Sequence, residues 1–198
     1  MRVLASSAQA ERHFQQSRFL GILEPVTSPE AARAELRAAK ARYGDATHVV
    51  HAFRTGEDNS ETCGSSDDGE PSGTAGRPVL DVLRGSGGGQ ALLLVVRWFG
   101  GTKLGTGGLV KAYGDTAKAV IASAVWKELR HWVVAEVSVE WNEYRPLKAR
   151  LVADGAQCEE EFGAAVVLKA QVPLEAFEEI QRFTVDLTRG RCRWRRID

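Results

Sequence analysis

ALLLVVRWF, residues 91 to 99, runs straight into GGTKLGTGG and then into LVKAYGDTAKAVIASAVWKEL. This junction limits the folds open to the chain more than any other stretch. A near-continuous apolar run of strand length is what a strand covered on both faces requires. The helix that follows has a stripe of Leu109, Tyr113, Ala117, Val120, Ile121 and Ala124, with Lys111, Asp115 and Lys118 on the opposite side. Strand, glycine loop and helix start together present backbone N–H groups and the positive end of a helix dipole, a geometry that binds anions. The spacing matches neither common phosphate loop. Thr106-Gly107 stands where a Walker loop has Lys-Ser/Thr, and Val110 falls where a dinucleotide fingerprint has its third glycine. Glycines that simply allow a tight strand-to-helix turn are the competing reading.

Around this junction the pattern is mixed. Phe14 to Val26 reads as one strand or two short ones, carrying Phe19, Leu20, Ile22 and Leu23. A helix then opens with Ser28 as N-cap, Pro29 in the first turn and Glu30 near the positive end. Its apolar face is Ala32, Leu36, Ala39 and Tyr43, and Gly44 ends it. Residues 47 to 53 read as a strand, and Gly56 to Gly76 as a long loop without periodicity. Pro78 suits the start of a short helix, before a flexible turn at residues 85 to 90. After Arg130 the pattern restarts: strand, helix over 143–153, two strands about Phe162-Gly163, a helix opened by Pro173, and a last strand, GRCRWRRI. That βαββαβ order is the split arrangement of ferredoxin-like units. The reading is α+β with two domains, residues 1–130 and 131–198.

Charge is concentrated in a few places. SSDDGEPSGTAGRP, residues 65 to 78, has three acids and no base before Arg77. Arg97 ends an otherwise apolar strand and must reach a partner or water. Lys111 sits in the first turns of a helix, where a cation is mildly unfavourable. With Lys103 these two put positive charge around the glycine loop. Either Asp67, Asp68 and Glu70 pair internally with Arg97 and Lys103, or an external anion does. His48 and His51 are three apart on a strand and so face opposite ways, which argues against a shared metal. At the C-terminus Arg189, Arg191, Arg193 and Arg195 alternate. On a strand they would share one face, either a phosphate-binding surface or a solvated face balanced by Glu159, Glu160 and Glu161.

Composition excludes several classes. The formal net charge is zero, so any preference for nucleic acid or membrane must be local. Three scattered cysteines, Cys63, Cys158 and Cys192, give no disulfide framework or zinc knuckle and suit a reducing cytoplasm. The longest apolar run is too short to span a bilayer, and the N-terminus lacks a secretion signal. No catalytic motif, metal set or cofactor is expected from the residues.

SDDGEPSGTAGRP and VVRWFGGTKLGTGGLVKAYG together closely resemble the signature of the YigZ/IMPACT family, supported by SRF at 17–19 and ATHVVHAF at 46–53. The resemblance is strong over residues 14 to 125. It implies a first domain folded like the second domain of ribosomal small-subunit protein five, shared with elongation factor G and a family of small-molecule kinases. It also implies a ferredoxin-like second domain similar to the last domain of elongation factor G. Eukaryotic relatives regulate translation, whereas the bacterial role is stated as unknown, with nucleic-acid or ribosome binding suggested. Carried over by position, the implied binding residues are His48, Asp67, Asp68, Glu70, Gly73, Thr74, Arg97, Gly100, Gly101, Lys103, Gly105, Gly107, Gly108 and Lys111. Ser72 lies within the first motif. The leading expectation is a cytoplasmic, non-enzymatic binder of RNA, the ribosome or a translation-associated protein. The alternatives are a nucleotide- or phosphate-binding enzyme using the DDGE acids with a divalent cation, and a protein-interaction module docking through the acidic loop.

Overall fold

Each side chain of β7 (Ala91–Trp98) is buried except Trp98, because helices cover both faces of its sheet. In this computed structural model, which describes residues 1–57 and 60–197, the sheet has the order β2-β3-β7-β4-β5. Its other strands are β2 (Ala8–Phe14), β3 (Ser17–Pro25), β4 (His48–Thr55) and β5 (Thr62–Ser66). Every pairing in it is antiparallel. Leu92, Leu94 and Val96 point to α1 (Pro29–Arg42), and Leu93 and Val95 point to α2 (Gly76–Gly85) and α3 (Gly105–Ser123). The α1 start follows the sequence expectation, with Ser28 Oγ accepting from the Ala31 N–H at 3.1 Å.

Three differences from the sequence reading have physical causes. The stretch 56–76 is not all loop, since β5 pairs with β4 from Thr62 to Ser66; residues 58 and 59 of that expected loop lie outside the described residues. Gly64 permits this pairing, because a Cβ there would sit 2.4 Å from the Phe53 ring. The expected long helix stops at Ser123, and β8 (Trp126–Glu128) pairs instead with β1 (Arg2–Leu4), which also pairs with β6 (Gly88–Gly89). The Trp126 ring lies so close to Gly88 that any side chain there would collide with it. Packing that partly buried indole against the core outweighs the helical propensity of the segment. α2 begins at Gly76, two residues before Pro78.

The chain divides into two compact units, Met1–Leu129 and Arg130–Asp198. The second runs β9 (Trp132–Val139), α4 (Trp141–Ala153), β10 (Gln157–Phe162), β11 (Val166–Pro173), α5 (Leu174–Leu187) and β12 (Arg195–Arg196). Strand order is β10-β11-β9-β12, all antiparallel. Alternation along β9 turns Val133, Ala135, Val137 and Val139 to one core with Leu147, Leu151 and Ile180 of the helices.

The last segment corrects the sequence reading. Only Arg195 and Arg196 form a strand, so Arg189, Arg191, Arg193 and Arg195 do not line one strand face. Arg189 has φ 51° and Gly190 φ 78°, which turn the chain after α5. Trp194 is drawn into the core, its indole N–H donating to Thr184 Oγ1 at 2.9 Å. Nor do the β10 acids balance this segment. Arg191 donates to Glu140 and Glu143, and Arg195 to Glu136 at 2.5 Å. Among the described residues no helix is long and apolar enough to cross a membrane.

Candidate ligand-binding cleft

The acidic loop closes largely on its own unit, each acid with a different task. Asp67 accepts from the backbone N–H groups of Gly73, Ala75 and Gly76 at 2.8–3.0 Å, folding the loop and capping the start of α2. Burial opposes its charged form, but these N–H groups prevail and hold its carboxyl below the usual range. Asp68 adopts φ 48°, a left-handed conformation Asp tolerates, and accepts from the Val49 N–H at 2.7 Å and from Lys40 at 2.5 Å. Partial burial again opposes ionisation and is outweighed, here by Lys40 and the Val49 amide.

Glu70 turns inward. Its residue is 8% exposed and Arg97, on β7, 5%. Arg97 Nη1 donates to Glu70 Oε1 at 2.5 Å, and the Tyr113 hydroxyl of α3 donates to the same oxygen at 2.7 Å. Burial, then the Glu70 hydrogen bond and charge, push the Tyr113 phenol far up, so it stays a donor. Internal pairing is therefore realised for Arg97 with Glu70, but not for Lys103, which is exposed and has no ion pair among the described residues. Arg97 Nε is also buried without a hydrogen-bond partner there.

The glycine turn is shaped by close packing. A Cβ on Gly100 would lie 1.9 Å from the Gln16 carbonyl oxygen, and Gly105 opens α3 at φ 70°. α3 has no side-chain N-cap and no acid in its first turn. The N–H groups of Gly105, Thr106 and Gly107 have no acceptor among the described residues, so the positive end of a 19-residue helix is left open.

Between these parts lies a cleft of about 410 Å³. His48, Glu70, Arg97, Lys103 and Gly105 line it, as do Thr47, Pro71, Phe99, Leu104, Thr106 and Leu109. The other candidates lie elsewhere. Asp67 and Asp68 face the partners above. Ser72 and Gly73 are exposed, and Thr74 Oγ1 donates to the Pro71 carbonyl at 2.6 Å. Gly100, Gly101, Gly107 and Gly108 shape the turn without lining the cleft. Lys111 is paired with Asp115 at 2.7 Å, one helical turn on. His51 is on the opposite face of β4 from His48, where burial, then Lys40, lowers its pKa. Thr47, Pro71, Phe99, Leu104, Thr106 and Leu109 were missing from the sequence list of binding residues. Phe99 signals itself only as an aromatic immediately after a buried strand, and it is 44% exposed. Tyr113 was placed in the helix stripe, but its hydroxyl contact depended on a loop 43 residues away.

The acids fit a divalent cation poorly, since Asp67 is spent on amides, Asp68 on Lys40, and Glu70 on Arg97 and Tyr113. Among the described residues no cluster of three or more His, Cys, Asp or Glu side chains has metal-ligand spacing.

Comparison with known proteins gives consistent matches. A family model described as Impact N-terminal domain matches residues 15–121. The chain is 34% identical over 188 residues to IMPACT family member YigZ of Escherichia coli (strain K12), covering 94% of this chain and 92% of that one. It is 37% identical over 180 residues to an IMPACT family member in the pol 5' region of Thermus thermophilus, covering 89% and 96%. A crystal structure described as a hypothetical protein is similar at TM-score 0.67 and 32% identity, over 100% of this chain and 97% of that one.

Proposed function

The chain belongs to the IMPACT family, and from that premise we propose that it is a non-enzymatic, translation-linked binding protein whose cleft captures an anionic group of RNA, of the ribosome or of a translation-associated protein. One observation carries this reading: the open N-terminus of α3 and the unpaired Lys103 share a cleft in which Arg97 is already neutralised by Glu70. The net charge offered to a ligand is therefore positive, although the chain as a whole is neutral. The protein is read as cytoplasmic. Its first unit is read as the ribosomal-protein-like domain, and its second as a ferredoxin-like domain, which the βαββαβ order supports. Arg189 and Arg193 remain exposed and form a secondary contact surface at most.

Binding of RNA and of ribosomes to the full chain at low salt tests the reading. The logarithm of affinity is expected to fall linearly with the logarithm of salt concentration, and Lys103→Ala to reduce that slope by about 1. No saturable binding to RNA, ribosomes or inorganic phosphate at low salt would overturn it. The cation-dependent enzyme is the weaker reading, because its three acids are already occupied.

A further inference from the structure

His48 fixes a hydrogen-bond direction that the anion site alone does not explain. Its Nδ1 lies 2.8 Å from the Asp68 carbonyl oxygen. A carbonyl only accepts, so Nδ1 carries the proton, and in the neutral ring Nε2 holds the free lone pair. Nε2 is 3.8 Å from Glu70 Oε1, beyond hydrogen-bond reach of a group that is itself an acceptor. It has no donor among the described residues, and His48 forms part of the cleft wall. The cleft thus offers two opposite demands. The α3 amides and Lys103 ask for a negatively charged acceptor, and His48 Nε2 asks for a hydroxyl or N–H.

The remaining wall is apolar. Leu104, Leu109 and the half-exposed Phe99 ring suit a flat, weakly polar group. Arg97, 5% exposed and with Nε unpartnered, belongs to the same wall. A volume of about 410 Å³ is at the small-ligand end of binding sites. We propose that the cleft takes a ribonucleoside phosphate: the phosphate on the first turn of α3 and Lys103, the base against Phe99, and a ribose hydroxyl donating to His48 Nε2. This rests on the anion-binding reading of the same cleft and adds the sugar and base to it. The 2′-hydroxyl is what separates such a ligand from its deoxy counterpart.

The test titrates the full chain at low salt with inorganic phosphate, AMP, 2′-deoxy-AMP, a short single-stranded RNA and the DNA of the same sequence. The ribo form is expected to bind about five- to tenfold more tightly than the deoxy form, the worth of one hydrogen bond. His48→Ala should bring the ribo-to-deoxy affinity ratio to about one, whatever its effect on overall affinity, and Phe99→Ala should weaken both nucleotide forms more than inorganic phosphate. A ribo preference already seen with AMP identifies a free nucleotide as the source, and a preference confined to the oligonucleotides identifies a strand; either supports the proposal. Equal ribo and deoxy affinity would overturn it and leave the anion site standing. Failure of every probe, phosphate included, would overturn both. Should His48→Ala lose its circular dichroism spectrum, the ribo-to-deoxy ratio of the unaltered protein and the exposed-site variant Phe99→Ala still decide.

Discussion

Arg97 and Glu70 meet at 2.5 Å, with their side chains 6% and 4% exposed, and this contact ties the acidic loop to the central strand. The loop is thereby a wall of the cleft rather than a solvated excursion. Two charges taken out of water together are tolerable only while both remain.

Removing one partner is therefore expected to be severe. Glu70→Ala should destabilise the first unit by about 3–5 kcal/mol, because it leaves a buried guanidinium unpaired. Replacing both, as Glu70→Leu/Arg97→Met, should cost less than Glu70→Ala alone. Urea denaturation of the wild type and these two variants measures this; a double variant no more stable than Glu70→Ala would show that the pair does not couple.

Asp67 should make stability depend on acid. Its pKa is depressed in the folded protein, as is that of Asp68. Their contribution is then fully present above the unfolded carboxylate pKa, about 3.9, and is lost as pH falls through the lower native values. Thermal melts between neutral and acid pH should show this decline, and Asp67→Asn should flatten it. At neutral pH Asp67→Ala should lower stability by about 0.5–2 kcal/mol, as loss of a helix cap does.

The glycines of the turn should separate into two kinds. Gly100→Ala would press a methyl against the Gln16 carbonyl and is expected to cost about 1–3 kcal/mol. Gly107 has open space around its Cβ position and lies in the first turn of α3. Gly107→Ala is expected to stabilise by up to about 1 kcal/mol without blocking the helix amides. Melting temperatures and phosphate titrations of the two variants check both halves.

The C-terminal arginines should not behave as a set. Arg191 joins the capping pair Glu140 and Glu143, whose Glu143 side chain is 4% exposed. Arg191→Ala is expected to destabilise the second unit by about 1–3 kcal/mol, since it strands that carboxylate. Arg189→Ala and Arg193→Ala, at exposed positions, should stay within about 0.5 kcal/mol. Chemical denaturation of the three variants distinguishes them; equal losses would argue for a shared face after all.

Local physics was legible along the chain wherever a residue acts through its immediate neighbours. Ser28 and Pro29 announced α1, the apolar run of 91–98 announced a strand covered on both faces, and the βαββαβ order was readable from periodicity. The composition of the acidic loop and the glycine turn also drew attention to two segments whose residues both line the cleft. Their pairing was not legible, because residues 65–78 contain three acids that look alike in sequence. Only the tertiary structure assigned Asp67 to amides, Asp68 to Lys40 and Glu70 to Arg97 and Tyr113. The same holds for β5, for β8 and for the arginine tail. Trp126 packed against Gly88 and Trp194 buried in the core are contacts between distant segments, and packing an indole outweighs the preference a few neighbouring residues express. Sequence thus determined which residues could form elements and carry charge. The tertiary structure decided which charges cancel, leaving Lys103, the α3 amides and His48 Nε2 open in one cleft.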